Sequence, residues 1–447
     1  MTTSPSDPSP APTLPTGPHA VRYGGRTTIE AVWRIEAGRL IASLARLTGD
    51  LADAEDLAQD ALVAALEQWP AQGIPPNPGG WLMTTAKNRL IDQIRRHKTM
   101  QRKLPHLHHE RELHNQAAAA ARDERLDDQI GDELLGLIFT ACHPALSIES
   151  RVALTLRCLG GLSTDQIARA FLIGEQTAAQ RIVRAKKTLR DKSVAFESPS
   201  PEQTRERLPG VLQVLYLIFN EGYAASSGPQ WLRPSLCEEG LRLARVLAAL
   251  LPDLAEVQGF VALLELQTAR IPARTTSDGD PVLILDQDRR LWDQLLTGRG
   301  LEAMHRAERL AATGSPVGPY MLQAGIAACH ARAKRPEDTD WKTILGLYGV
   351  LRELWPNPVI DLNRVVAVAM VQGPEAALAE LNKLSGDPRL RDYCYLPAVR
   401  AHVLEQAGQR DAARDSWLLA AKLTRNERER QLYEQHARYR AAIRPSR

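Results

Sequence analysis

The chain has 447 residues, a formal net charge of +3, and 44% hydrophobic but only 5% aromatic side chains. At about 100 to 200 residues per domain the length supports about two to four domains, and richness in Ala, Leu and Arg favours helix over sheet, so an all-α chain is expected. Five cysteines, Cys142, Cys158, Cys237, Cys329 and Cys394, without a CxxC pair argue against a disulfide framework or a zinc module, and so small a net charge leaves its local distribution to reveal any nucleic-acid surface.

Residues 1–27 are rich in Pro, Ser and Thr, without a basic n-region or an apolar stretch, and read as a disordered tail rather than a signal peptide. With no run of about 18 apolar residues anywhere, a cytoplasmic, membrane-free protein is expected. Residues 28–99 form a first helical block, broken by a loop from Pro70 to Gly80 in which helix is not expected to continue. Before the loop, Leu57, Ala61, Ala65 and Leu66 recur at helical spacing, and Asp53, Glu55, Asp56 and Asp60 crowd the N-terminal end, where carboxylates suit the helix dipole. A capped, solvated amphipathic helix accounts for that segment taken alone. After the loop, Leu82, Ala86, Leu90 and Ile94 form a stripe, and the other faces carry Lys87, Asn88, Arg89, Arg95, Arg96 and Lys98. Such a helix, with Trp81 at its start, can neutralise phosphates and offer a flat face to an unstacked base.

Residues 100–128 read as a polar linker; its His106, His108, His109 and His114 lack the spacing of a rigid metal site, and no metal or cofactor is expected. Residues 129–192 form the second block. Cys142 and His143 close an apolar helix, where a small buried thiol is ordinary. SIESRVALTLRCL (147–159) starts at a Ser cap and places Val152, Leu156 and Leu159 on one face, ending at Gly160-Gly161. A short helix capped by Ser163 or Thr164, a turn Leu172–Gly174 and a basic helix from Glu175 follow, which is a helix-turn-helix. Glu175, Gln176, Thr177 and Gln180 are expected to face base edges, Arg181, Arg184, Lys187 and Arg190 to hold phosphates, and Ile182, Val183 and Leu189 to bury.

Residues 193–201 are a second linker, and 202–447 a long helical extension. Gly408, Ala413, Trp417 and Ala420 reproduce the G, A, aromatic, A spacing of a tetratricopeptide repeat, with a looser copy at Gly373, Ala377 and Leu381, so a solenoid-like bundle is expected. Its first helix, VLQVLYLIF, is apolar on most faces and should pack on a preceding block. Residues 278–293 interrupt the helical pattern. Catalytic motifs such as HExxH and GxSxG are missing, and a non-enzyme is expected.

The AEDLAQD helix followed by WLMTTAKNRLIDQIRR resembles sigma-factor domain two, and the helix-turn-helix behind them resembles domain four. With YLIFNEGYAAS, ARIPAR and DQDRRLWD in the extension, the chain resembles extracytoplasmic-function RNA polymerase sigma factors that carry a C-terminal tetratricopeptide-like domain. That resemblance implies two small helical sigma domains joined by a flexible linker, partnered with core RNA polymerase and promoter DNA. It places Asp53, Glu55, Asp56, Gln59 and Asp60 on the clamp helices of the largest polymerase subunit. It places Trp81, Lys87, Asn88, Arg89, Asp92, Arg95 and Arg96 on the minus-ten element, and Glu175, Gln176, Thr177, Gln180, Arg181, Arg184 and Lys187 on the minus-thirty-five element, with domain four also touching the polymerase flap. The extension is implied to control activity, through a protein partner or by docking within the chain. The alternative is a helix-turn-helix regulator with a repeat-based sensor that never joins polymerase; the acidic helix at 53–60 separates the two, since an ordinary repressor has no need of it.

Overall fold

Helices begin and end where the chain supplies caps and breakers. The structure, a computed structural model, describes the backbone of residues 18–101 and 126–439 and the side chains of 27–95 and 131–438. Among these the fold is all helical, with 18 α-helices and no strand. The tail before residue 18, most of the 100–128 linker with its four histidines, and the Arg96 side chain lie outside the described residues.

Two compact units emerge. The first holds the described residues of Met1–Ala141, Thr155–Leu162 and Lys186–Ser198; the second holds those of Cys142–Leu154, Ser163–Ala185 and Pro199–Arg447. In the first unit α1 (Pro18–Thr48) packs against α2 (Leu51–Gln72), α3 (Pro78–Gln101) and α4 (Leu126–Ala141). Their core is Trp33, Leu40, Ile41 and Leu44 from α1, Leu57, Ala61 and Trp69 from α2, Leu82 and Ala86 from α3, and Leu137 and Ile138 from α4, each less than 5% exposed. Removing apolar area of this kind from water is worth about 25 cal/mol per Å². Gly161 lies against α1: its φ of 63° is a left-handed conformation, a Cβ there would sit 3.1 Å from the Trp33 ring, and its carbonyl accepts the Trp33 indole N–H at 3.1 Å.

Asp50 caps α2, accepting from the amides of Ala52 and Asp53 at 2.7 and 3.0 Å. The expectation that helix stops at Pro70 is corrected: α2 runs through it to Gln72, because a proline in an exposed last turn forfeits only one amide bond, and Gly73 N–H closes the turn on Trp69 O at 2.8 Å.

In the second unit lie most of α5 (Ile148–Cys158), α6 (Thr164–Ala170) and the first part of α7 (Glu175–Asp191), followed by α8 (Pro201–Tyr223), α9 (Pro234–Leu250), α10 (Ala255–Ala269), α11 (Gln294–Ala312), α12 (Pro319–Arg332), α13 (Trp341–Leu354), α14 (Pro358–Gln372), α15 (Pro374–Leu384), α16 (Tyr395–Gln406), α17 (Arg410–Leu423) and α18 (Glu427–Tyr439). From α8 to α18 each helix packs on its sequence neighbours. The centre of the first turns is α10, buried on almost every face, which approaches α12 so closely that a Cβ on Gly259 would stand 2.5 Å from Met321 Cα. The two copies of the small-residue spacing fall in equivalent places. Gly373 and Gly408 occupy left-handed positions in the links before α15 and α17, and Ala377, Leu381, Ala413, Trp417 and Ala420 are buried behind them.

Residues 278–293 leave the helical pattern for a packing reason. Arg289, 9% exposed, donates to the carbonyls of His330 and Ala333 at 2.7 and 2.6 Å and to Thr339 Oγ1 at 3.0 Å, satisfying acceptors orphaned at the end of α12. In ARIPAR, the Arg274 guanidinium lies over the rings of Tyr223 and Trp231, 3.4 and 4.3 Å from their centroids.

Candidate polymerase and nucleic-acid surfaces

On α2 the five carboxylate and amide candidates separate. Asp53 and Asp56 are exposed, Gln59 and Asp60 half-buried, and Glu55 is only 3% exposed. Glu55 Oε1 accepts from Arg157 Nε at 2.8 Å, and its other oxygen accepts from Lys186 Nζ, which also lies 3.2 Å from Asp56 Oδ1. Arg190 forks onto Asp50 at 2.6 and 2.8 Å and reaches Asp53 at 2.8 Å. The Arg190 hydrogen bond holds the Asp50 carboxyl below its ordinary range, outweighing partial burial. For Lys186, burial disfavours the cation, but the charge and hydrogen bond of Glu55 prevail and raise it. Cys158 beside them is pushed up to about 12, first by burial and then by Glu55, so it remains a neutral thiol.

On α3, Trp81 is half-buried, its ring edge-on to Trp69 with centroids 5.3 Å apart. Burial lowers Lys87, an effect that the charge of Glu133 opposes. Asn88 is exposed, Arg89 reaches Asp60 at 3.2 Å, and Asp92 and Arg95 sit 3.9 Å apart. Two of the candidate groups, on neighbouring helices, are thus brought into contact by the Arg89–Asp60 pair. Leu82 and Ala86 bury as the stripe predicts, while Leu90 and Ile94 are half-buried.

The helix-turn-helix is built from local chemistry. Ser163 caps α6 in a reciprocal box with Gln166, and Leu172 makes the turn in a left-handed conformation at φ 49°. In α7, Ala178, Ile182, Ala185 and Leu189 are the buried stripe, at 6% exposure or less. Val183 is 63% exposed, against expectation, because it stands about 100° around the helix from Ile182. Glu175, Gln176, Thr177, Gln180, Arg184 and Lys187 share the exposed face, and Arg184 and Lys187 carry no ion pair among the described residues. Arg181 is half-buried beside Glu149 and Val152. Arg190, assigned to phosphate by the sequence, is engaged with Asp50 and Asp53 instead.

Within the second unit the extension grips this turn. Arg233 donates to Ala170 O at the end of α6, to Ser227 O at 3.1 Å and to Glu221 at 2.6 Å. Leu172 lies so close to Gly228 (φ 92°) that a Cβ there would stand 2.7 Å from its Cδ1. Asn426, at the start of α18, donates to the carbonyls of Ala225 and Gln230 at 3.1 and 3.0 Å, so the last helix is tied to the loop that holds the turn. Asp50, Arg157, Lys186 and Arg233 were not singled out from sequence. Only Asp50 had a signal, its cap position; the others act through partners many residues away.

Three family descriptions match this chain: sigma-70 region 2 over residues 34–99, sigma-70 region 4 over 137–189, and a family of unknown function, DUF6596, over 207–308. An uncharacterized protein, R00370, of Rhizobium meliloti is 41% identical over 387 residues, covering 86% of this chain and 89% of the relative. The ECF RNA polymerase sigma factor SigL of Mycobacterium tuberculosis is 29% identical over 148 residues, 32% of this chain and 77% of its own, and SigE of Mycolicibacterium smegmatis is 28% identical over 159 residues, 35% and 58%. Among the described residues no helix is long and apolar enough to cross a membrane. The chain therefore belongs to the same family as the Rhizobium meliloti protein, with sigma-70 regions 2 and 4 as its first two domains and a DUF6596 segment opening its helical extension.

Proposed function

We propose that the protein is an extracytoplasmic-function sigma factor that joins core RNA polymerase in the cytoplasm and directs promoter-specific initiation, with no catalytic step of its own. Asp53, Asp56, Gln59 and Asp60, with Glu55 once released from its partners, meet the clamp helices of the largest subunit. Trp81, Lys87, Asn88, Arg89, Asp92, Arg95 and Arg96 take the opened minus-ten strand. Glu175, Gln176, Thr177 and Gln180 read the minus-thirty-five element while Arg181, Arg184 and Lys187 hold its phosphates. The observation that carries this is one chain combining an acidic helix, a basic helix with an aromatic start, and a helix-turn-helix whose cations Arg184 and Lys187 face solvent without counter-charges among the described residues.

The extension, a tetratricopeptide-like solenoid on this proposal, controls activity through its hold on the helix-turn-helix. Arg233 and Gly228 fix the turn, and Asn426 connects that loop to the far end of the solenoid, so a partner on the solenoid can shift domain four. Charge reversal at exposed Asp56, Asp56→Lys, tests the polymerase assignment. Binding to core polymerase should weaken about tenfold or more; unchanged affinity would contradict the assignment.

A further inference from the structure

Seven charged groups, Asp50, Asp53, Glu55, Asp56, Arg157, Lys186 and Arg190, join the start of α2 to α5 and α7 within the first compact unit, and they pair carboxylates assigned to polymerase with Lys186 and Arg190 of the helix assigned to DNA and with Arg157 of α5. Glu55 is withdrawn from solvent between Arg157 and Lys186, and Asp56 shares Lys186. Asp53 shares Arg190 with the cap residue Asp50. Arg157 is held in place by a further bond from its Nη1 to Leu162 O at 3.3 Å. A buried carboxylate with two cationic partners is costly to separate, because removing one partner leaves charge stranded in a low-dielectric site.

We propose that Arg157, Lys186 and Arg190 form an electrostatic latch that closes region 4 onto region 2, so that the clamp helices of polymerase and the latch compete for the same carboxylates. The inference rests on the sigma-factor reading above and adds to it a shut state of that same surface. Competition is reciprocal. While the latch is shut, Arg190, which the sequence assigns to phosphate, is withheld from promoter DNA, and Glu55 and Asp53 from polymerase; opening releases both sets together. Only the open population binds, so apparent affinity for polymerase is scaled down by the open fraction.

Full-length protein with Arg157→Gln tests the latch, because Arg157 belongs to neither proposed contact set. Arg190→Gln, at a half-exposed pair that folding tolerates more readily, is the second variant. Two quantities are read: affinity for purified core polymerase, and the distance between spin labels at exposed Val63 and Lys192 measured by pulsed electron resonance. Both variants should lengthen the distance, and Arg157→Gln should bind polymerase about tenfold more tightly. An unchanged distance overturns the latch, whatever polymerase does. A longer distance with unchanged polymerase affinity overturns the competition. If neither wild type nor opened variants bind polymerase, the sigma-factor reading fails, and the competition with it.

Discussion

Arginine serves opposite ends in the two halves of this chain. On α7, Arg184 stands exposed beside Lys187 with no ion pair among the described residues, whereas in the extension Arg274 and Arg289 are buried and spend their donors on backbone carbonyls and aromatic faces. An exposed cation without an ion pair contributes little to the fold. A buried guanidinium with three acceptors is part of the scaffold. Composition cannot separate these; partners and burial do.

The comparison breaks most visibly at Arg289. Arg289→Ala strands the carbonyls of His330 and Ala333, and should lower the stability of the full chain by about 3 kcal/mol or more in urea unfolding. A loss below about 1 kcal/mol would show that water replaces the guanidinium. Next comes Arg274→Lys, which keeps the charge but loses the planar guanidinium over the Tyr223 and Trp231 rings; about 1 to 2 kcal/mol should be lost in the same experiment. On the other side, Arg184→Ala should leave stability within about 0.5 kcal/mol while weakening DNA binding and reducing its salt slope by about one. If stability falls with DNA affinity, Arg184 belongs to the scaffold.

The smallest effect concerns Asp50. Its folded carboxyl titrates below the ordinary range, so its contribution is complete above about pH 4 and is lost as pH falls through the lowered folded value. The distance between the Val63 and Lys192 spin labels should lengthen in acid, and Asp50→Asn should flatten that dependence. A dependence unchanged by Asp50→Asn would assign the acid effect to another carboxylate.

Much of the fold was legible because it is written locally. Stripes at Leu82 and Ala86 and at Ile182 and Leu189, the Ser163 cap and the glycines before α15 and α17 depend on spacing within a few residues. Val183 adjoins the buried Ile182 in sequence, but the helical period turns it from core to solvent. Pro70 does not break α2, since a last turn has little left to lose. The burial of Glu55 was not legible at all. It is decided by Arg157 and Lys186, more than 100 residues away, and nothing in the local pattern of α2 distinguishes Glu55 from its exposed neighbours. Residues 278–293 show the same limit: the Arg289 contact with the end of α12 is one that no periodicity announces.

Run-off transcription tests the account most directly: the purified full chain is added to core polymerase lacking any sigma factor, with genomic promoter fragments as template. The account predicts transcripts of defined length that depend on the chain and are lost with Asp56→Lys. Sequence-specific binding of the chain to those fragments without any transcript, across a range of chain and polymerase concentrations, would contradict it and favour a helix-turn-helix regulator that never joins polymerase.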